Sequence, residues 1–213
     1  MAPKYDLGYL PSVDGSCLYR DDGTTVIVGV TGPTDVKTSK QLSSARIEVD
    51  FGSYGTLNQS GKRRMILLLL RKICESAVSV QLYPRTCITI IVKALSDNGR
   101  LMEACINATC LALLDAALPL KDIFCARTEV WPAENEPIAP TSASDDGDDR
   151  PTKCAMTFVF LEHSLQDVFS CFTDGSFTLD QLRVSLQNAR TTCTETFRSF
   201  RSLLIEKYNL NPS

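Results

Sequence analysis

Apolar and polar residues alternate most regularly from Ala45 to Phe51, where Ile47, Val49 and Phe51 interleave with Arg46, Glu48 and Asp50. A period of two predicts a half-buried strand there. Ser16 to Arg20 and Thr24 to Thr31 are also extended candidates, and Asp21-Asp22-Gly23 between them predicts a hairpin. Gly32-Pro33 is expected to end the second of these strands, and Gly52 to Gly61 reads as loop. Arg63 to Val80 is apolar almost all round, apart from a polar stripe at Lys72, Glu75, Ser76 and Ser79. It therefore predicts a mostly buried helix. After Tyr83-Pro84, Thr86 to Leu95 reads as a strand rich in Ile, Val and Thr, and Asp97-Asn98-Gly99 as a turn. Leu101 to Leu118 predicts a second, nearly all-apolar helix that carries Glu103, Asn107 and Asp115.

Ile123 to Trp131, Cys154 to Leu161 and Asp167 to Phe172 are the remaining predicted strands, with a turn at Thr173 to Ser176. Pro132 to Lys153 contains Asp145-Asp146-Gly147-Asp148-Asp149 and is expected to be a long acidic loop. Thr178 to Tyr208 predicts a long C-terminal helix. Thr178 and Gln181 form a capping box at its start, and Leu182, Leu186, Ala189, Cys193, Phe197, Phe200 and Leu204 form its apolar stripe. The pattern is that of an α+β chain, with residues 10–208 expected to form a single domain.

Composition narrows the function. Of 213 residues 44% are hydrophobic and 22% charged, which is ordinary for a globular protein and excludes wholesale disorder. The formal net charge of -3 is too small to imply a polyanion partner by itself. The longest apolar run, Met65 to Leu70, is far short of the ~20 residues that span a bilayer, and Met1 to Leu10 lacks the features of a secretory signal. A soluble intracellular protein without a membrane partner is expected. The nine cysteines are odd in number and include no Cys-x-x-Cys pair, so they are expected to be free, mostly buried thiols rather than disulfides or zinc ligands. His163 is the only histidine, and nothing near it in sequence marks a nucleophile for a catalytic triad. No dinucleotide-binding glycine fingerprint occurs, and no cofactor or metal is expected.

The distribution of charge says more than its sum. From Gln41 to Arg100 the basic residues Arg46, Lys62, Arg63, Arg64, Arg71, Lys72, Arg85, Lys93 and Arg100 outnumber Glu48, Asp50, Glu75 and Asp97 by five. Lys62-Arg63-Arg64 opens the first helix, where cations oppose the helix dipole, so an anionic partner competes there with a merely solvated helix end. Gly99-Arg100 before the second helix has the same logic, since a turn followed by exposed amides can hold phosphate.

In combination the motifs acquire specificity. The opening Asp14-Gly15-Ser16 and Asp22 to Pro33 are followed in order by Tyr83-Pro84-Arg85, Ser96-Asp97-Asn98-Gly99 and Ala104 to Ala116. In this order they resemble the ribonuclease PH-like family over about Val13 to Tyr208, and within it the eukaryotic RNA exosome ring subunits that lack appended RNA-binding domains. The resemblance implies mixed sheets packed with helices, a βαβα core and a ring of six related subunits topped by RNA-binding cap subunits. It also implies single-stranded RNA as partner, and a location in nucleus, nucleolus and cytoplasm.

Active members of this family cut RNA from its 3′ end with inorganic phosphate. Their phosphate loop places a hydroxyl residue and then arginine after glycines, whereas this chain has Gly99-Arg100-Leu101-Met102-Glu103. They also carry acidic residues about the strand matching Cys154 to Leu161, where this chain has Pro151-Thr152-Lys153-Cys154-Ala155-Met156, with Ala155 at the acidic position. Asp148 and Asp149 lie nearby on the acidic loop, and Lys72 stands where the family helix uses arginine. The phosphorolytic site is therefore expected to be degenerate, with no catalytic residue assigned. Arg63, Arg64, Lys72, Arg85 and Arg100 are the candidate RNA and phosphate contacts. The alternative is a free homodimer that binds or cleaves RNA or DNA, the latter including the DNA degradation of cell death.

Overall fold

The structure is a computed structural model that describes residues 3–35, 43–53, 60–131 and 154–208. The acidic stretch 132–153, with Asp148 and Asp149, lies outside the described residues, as does 54–59 of the expected loop. A five-stranded sheet is built from β1 (Lys4–Leu7), β2 (Gly15–Asp21), β3 (Thr24–Asp35), β4 (Arg46–Ser53) and β5 (Thr86–Ser96), in the order β1-β2-β3-β5-β4. All its pairings are antiparallel except that of β4 with β5. That parallel pair is joined by α1 (Ser60–Ala77), and α2 (Leu101–Asp115) follows β5, which supplies the βαβα core. A second, antiparallel sheet contains β6 (Phe124–Trp131), β7 (Cys154–Leu161) and β8 (Ser170–Asp174). α3 (Leu179–Tyr208) packs against β6 and β7.

α2 explains the division of the core. It touches β2 and β3 of one sheet and β6 of the other, so every residue from Glu103 to Leu113 is buried. Small residues let the layers approach. A side chain at Gly15 of β2 would collide with the backbone of Ala112 and Ala116 at the end of α2. The four polar residues of this helix, Glu103, Asn107, Thr109 and Asp115, are each bonded. Asp115 accepts the Ser16 N–H at 2.9 Å and ion-pairs with Lys207, and its Oδ1 also accepts the Tyr208 hydroxyl at 3.1 Å, tying the end of α3 to that of α2.

The expected hairpin forms about Asp22 and Gly23, both at positive φ (40° and 84°). The capping box forms as well: Gln181 Oε1 accepts the Thr178 N–H at 2.8 Å, and Thr178 Oγ1 accepts the Gln181 N–H at 3.3 Å. Eight of the nine cysteines are buried and unpaired, and Cys171 is exposed.

Several boundaries differ from expectation. β3 does not stop at Gly32-Pro33 but continues to Asp35, because a register shift between Thr31 and Thr34 carries the proline past the ladder. Pro33 has no N–H to donate, so it is tolerated where the ladder is interrupted. α1 begins at Ser60 and ends at Ala77, and α2 ends at Asp115 rather than Leu118. The last strand is Ser170–Asp174, not Asp167 to Phe172: Asp167 belongs to a turn in which its N–H bonds the Ser164 carbonyl at 3.1 Å. Nor is α1 mostly buried. It buries Ile66, Leu70, Ile73, Cys74 and Ala77 on one face and leaves Met65 and Leu68 42% and 50% exposed. Among the described residues no helix is long and apolar enough to cross a membrane.

Candidate nucleic-acid interface and the N-terminal end of α2

The basic excess read from the sequence is partly consumed by ion pairs. Arg46 meets Glu48 at 3.1 Å, Arg63 meets Asp50 at 3.6 Å and Arg71 meets Glu75 at 2.9 Å. Among the described residues Arg64, Lys72, Arg85 and Lys93 have no carboxylate within ion-pair distance. The Lys62 side chain lies outside the description.

The five candidate contacts do not form one patch. Arg63, Arg64 and Lys72 are exposed on α1. Arg63 and Lys72 are separated by nine residues, or ~14 Å along the axis. Arg64 and Lys72 are carried on the strip that also exposes Leu68. Arg85 is exposed just before β5 at a left-handed φ of 62°, whereas Arg100 follows the far end of the same strand. An eleven-residue strand puts those two ends roughly 35 Å apart. Arg63 pairs with Asp50, which lies opposite Ile91 in the middle of β5, whereas Arg100 stands beyond the end of that strand.

Arg100 is the residue before α2, and its side chain turns inward. Its Nη1 lies 3.8 Å from Oδ2 of Asp21, a carboxylate only 4% exposed that Tyr19 also approaches through its hydroxyl at 3.4 Å. One turn further on, Glu103 is 3% exposed. Its Oε2 accepts the Thr128 N–H at 2.8 Å, and its Oε1 accepts from Arg127 Nη1 at 3.3 Å. Burial raises the Glu103 carboxyl above the usual carboxylate range, against the opposing pull of Arg127, the Thr128 N–H and Arg100. Arg127 in turn reaches Glu129 at 3.2 Å. Three carboxyl groups thus surround two guanidinium groups at this helix end.

Glu103 also has a structural task, which it shares with Asn107. β6 pairs with β7 on one side only, and its other edge lies against α2. Asn107 Oδ1 accepts the Ala126 N–H at 2.8 Å, while its Nδ2 donates to the Ala126 carbonyl at 3.1 Å. Glu103, one helical turn away, accepts the N–H of Thr128, two residues further along the same strand edge. Two side chains of a helix thereby satisfy the free edge of a sheet that would otherwise be buried unpaired. This role was not anticipated from the sequence. The available signal was the pair of polar residues four apart in an otherwise apolar helix.

Among the described residues no carboxylate set for a divalent metal is assembled here. Ala155 stands opposite Val130 and Asp174, and Met156 opposite Glu129, so β7 supplies no carboxylate at the expected acidic position. The nearest ones in register belong to the neighbouring strands, and Glu129 is engaged by Arg127. Among the described residues no three His, Cys, Asp or Glu side chains are grouped as metal ligands. His163 is exposed, and its Nδ1 lies 2.9 Å from Asp122 Oδ1, away from α2's N-terminus.

This architecture, two sheets about a central α2 with a long C-terminal helix, is the ribonuclease PH-like α+β fold. Residues 3–119 match the 3′ exoribonuclease family, domain 1, and the chain belongs to that family. It is similar to the exosome complex component rrp46 of Schizosaccharomyces pombe, 28% identical over 206 residues that cover 95% of this chain and 89% of that protein. It is 29% identical over 202 residues to a putative exosome complex component RRP41 of Caenorhabditis briggsae, covering 90% and 81%. Against the exosome complex component ski6 of S. pombe the identity is 33% over 132 residues, and the match spans 57% of this chain and about half of that protein, 54%. The crystal structure of rice (Oryza sativa) Rrp46 superposes with a TM-score of 0.75 at 19% identity, covering 95% of this chain and 94% of that one.

Proposed function

We propose that this chain is a core subunit of an RNA exosome, contributing assembly surface and RNA contacts to 3′-to-5′ RNA processing and degradation without phosphorolysis of its own. The observation that carries the second half of this reading is Glu103. A phosphorolytic member needs an open anion site where Arg100 and the start of α2 meet. In this chain a buried carboxyl group stands in the first turn, and Asp21 holds the arginine side chain. Among the described residues, an incoming phosphate would face Asp21, Glu103 and Glu129 with Arg100 and Arg127 to offset them. Ala155 supports the same conclusion, since the strand beside this site offers no acid to protonate a leaving oxygen.

RNA contact is then a matter of backbone positioning by the unpaired cations rather than base reading. Arg64, Lys72 and Arg85 are the stronger candidates, because Arg63 and Arg100 already face carboxylates. Partners of the proposed subunit are the other ribonuclease PH-like ring members and the cap subunits. Its location is nuclear and cytoplasmic, nucleolus included.

The test is degradation of 3′-labelled single-stranded RNA and DNA by the purified chain, with phosphate and magnesium each present or omitted. The expected result is no shortening of either substrate, together with salt-dependent RNA binding. Arg64→Glu combined with Lys72→Glu should lower the slope of log affinity on log salt by about 1.4 for two lost contacts to a single strand. Phosphate-dependent release of nucleoside diphosphates would overturn the non-catalytic reading. Phosphate-independent cleavage of DNA would replace it with the nuclease alternative.

A further inference from the structure

A cleft of about 240 Å³ lies between the β7–β8 connection and the middle of α3, lined by Glu162, Leu165, Thr194, Phe197, Arg198 and Arg201. It is remote from the site above: Ala155 and Glu162 are seven residues apart along β7, or roughly 23 Å. Its floor is apolar. Phe197 is 4% exposed and locked edge-on against Phe200, and Leu165 is packed on the core beside it. Its rim is charged. Arg201 Nη2 reaches Glu162 Oε1 at 2.6 Å, while Arg198, exposed one turn earlier, has no carboxylate partner among the described residues. Beside the lining residues, Arg190 Nη2 donates to the Gln166 carbonyl at 2.7 Å, and its buried Nε has no hydrogen-bond partner among the described residues.

We propose that this cleft is a docking site for a peptide segment of a partner protein that inserts one apolar side chain and presents a carboxylate next to it. The volume falls below the roughly 300–1,000 Å³ of sites that enclose a small-molecule ligand, and suits a single side chain. Charge complementarity selects the neighbouring group. Two guanidinium groups against one carboxylate leave the rim short of one negative charge, and Arg198 is the unsatisfied member. A peptide also answers the remaining polarity, because its backbone N–H groups can donate to Glu162. An RNA strand brings a phosphate at every nucleotide and no flexible apolar side chain for the floor of Leu165 and Phe197, whereas a peptide can pair one apolar side chain with one carboxylate. The apolar side chain rests on Leu165 and Phe197, and the adjacent carboxylate forms a charge-assisted pair with Arg198.

The probe is a fluorescein-labelled peptide, Gly-Ser-Asp-Phe-Asp-Ser-Gly, titrated by fluorescence anisotropy against the full chain. One control peptide replaces Phe by Ser, and another replaces both Asp by Asn. Saturable binding is expected, with each control and the Arg198→Glu variant weaker by about tenfold, the scale of one charge-assisted contact. Arg198 is exposed, so this variant should keep the wild-type melting curve, and Lys93→Glu, at an exposed lysine of the other sheet, serves as a charge control that should leave binding unchanged. Absence of saturation up to about 1 mM would overturn the proposal. So would equal binding by Arg198→Glu, or displacement of the peptide by a short oligouridylate through Arg198, which would assign the cleft to nucleic acid.

Discussion

Glu103→Ala withdraws a carboxylate that serves the interior as well as the α2 entrance. The Thr128 N–H would be left buried and unpaired, which costs about 1–3 kcal/mol. Arg127 retains Glu129 at 3.2 Å, so its own loss adds only about 1 kcal/mol. The sum is a destabilisation of ~2–4 kcal/mol. Glu103→Gln keeps an acceptor for the Thr128 N–H and should cost no more than about 1 kcal/mol, for the amide refitted against Arg127. The two variants also differ from wild type in pH dependence. Because burial raises the Glu103 carboxyl, the folded chain binds this proton more tightly than the unfolded one. Its contribution therefore favours folding at low pH and is withdrawn as pH rises from the ordinary carboxylate value through the folded value. Glu103→Gln lacks this titration, so its deficit against wild type should shrink as pH rises. Urea unfolding followed by circular dichroism from about pH 4 to pH 7.5 measures both effects, with the slope m unchanged. An alanine variant within about 0.5 kcal/mol of wild type would refute the edge-satisfaction argument. So would a glutamine variant as unstable as alanine.

Two other expectations follow from the same geometry. Asn107→Ala orphans both the N–H and the carbonyl of Ala126, so a loss of ~2–5 kcal/mol in urea unfolding is expected, and a loss below about 1 kcal/mol would mean that the strand edge finds other partners. His163 is raised above its ordinary value by the hydrogen bond to Asp122 and the charge on that carboxylate. Its favourable contribution is complete below the unfolded imidazole value and is lost as pH rises through the folded one. An NMR titration of the ring protons should show Asp122→Asn moving the midpoint down toward the ordinary value; an unmoved midpoint would show that the contact is not formed in solution.

The parts of the fold that were legible in the sequence are those where one face alone decides burial. The alternation at Ile47, Val49 and Phe51 places two of the three in the core, and the stripe of α3 buries Ala189, Cys193, Phe197 and Phe200. Reading failed where tertiary context decides. The leucines of α1 gave no direction, since the exposed Met65 and Leu68 are as apolar as the buried Ile66 and Leu70. Pro33 suggests a strand end unless the register shift that accommodates it is known. At the candidate site, the basic residues were legible but their pairing was not. Arg100 turned out to face Asp21, seventy-nine positions away in sequence, a contact that only the adjacency of β2 to the start of α2 creates. Glu103 was legible as a charge unfavourable to an anion, but its bond to β6 was not.

The cysteines make the molecule a recorder of its own openings. Burial pushes the thiols of Cys17 and Cys110 up to about 12, so neither steric access nor thiolate is available while the layers stay closed. The buried eight are spread over β2, α1, β5, α2, β6, β7 and α3, so seven of the eleven elements carry a latent label. Only Cys171, on β8, is open to a reagent in the closed state. Timed alkylation read out by mass spectrometry would therefore rank the elements by how often each comes apart, with β8 as the internal reference clock. The order in which α2 and β6 gain label would show whether the helix releases the strand edge before the sheets separate.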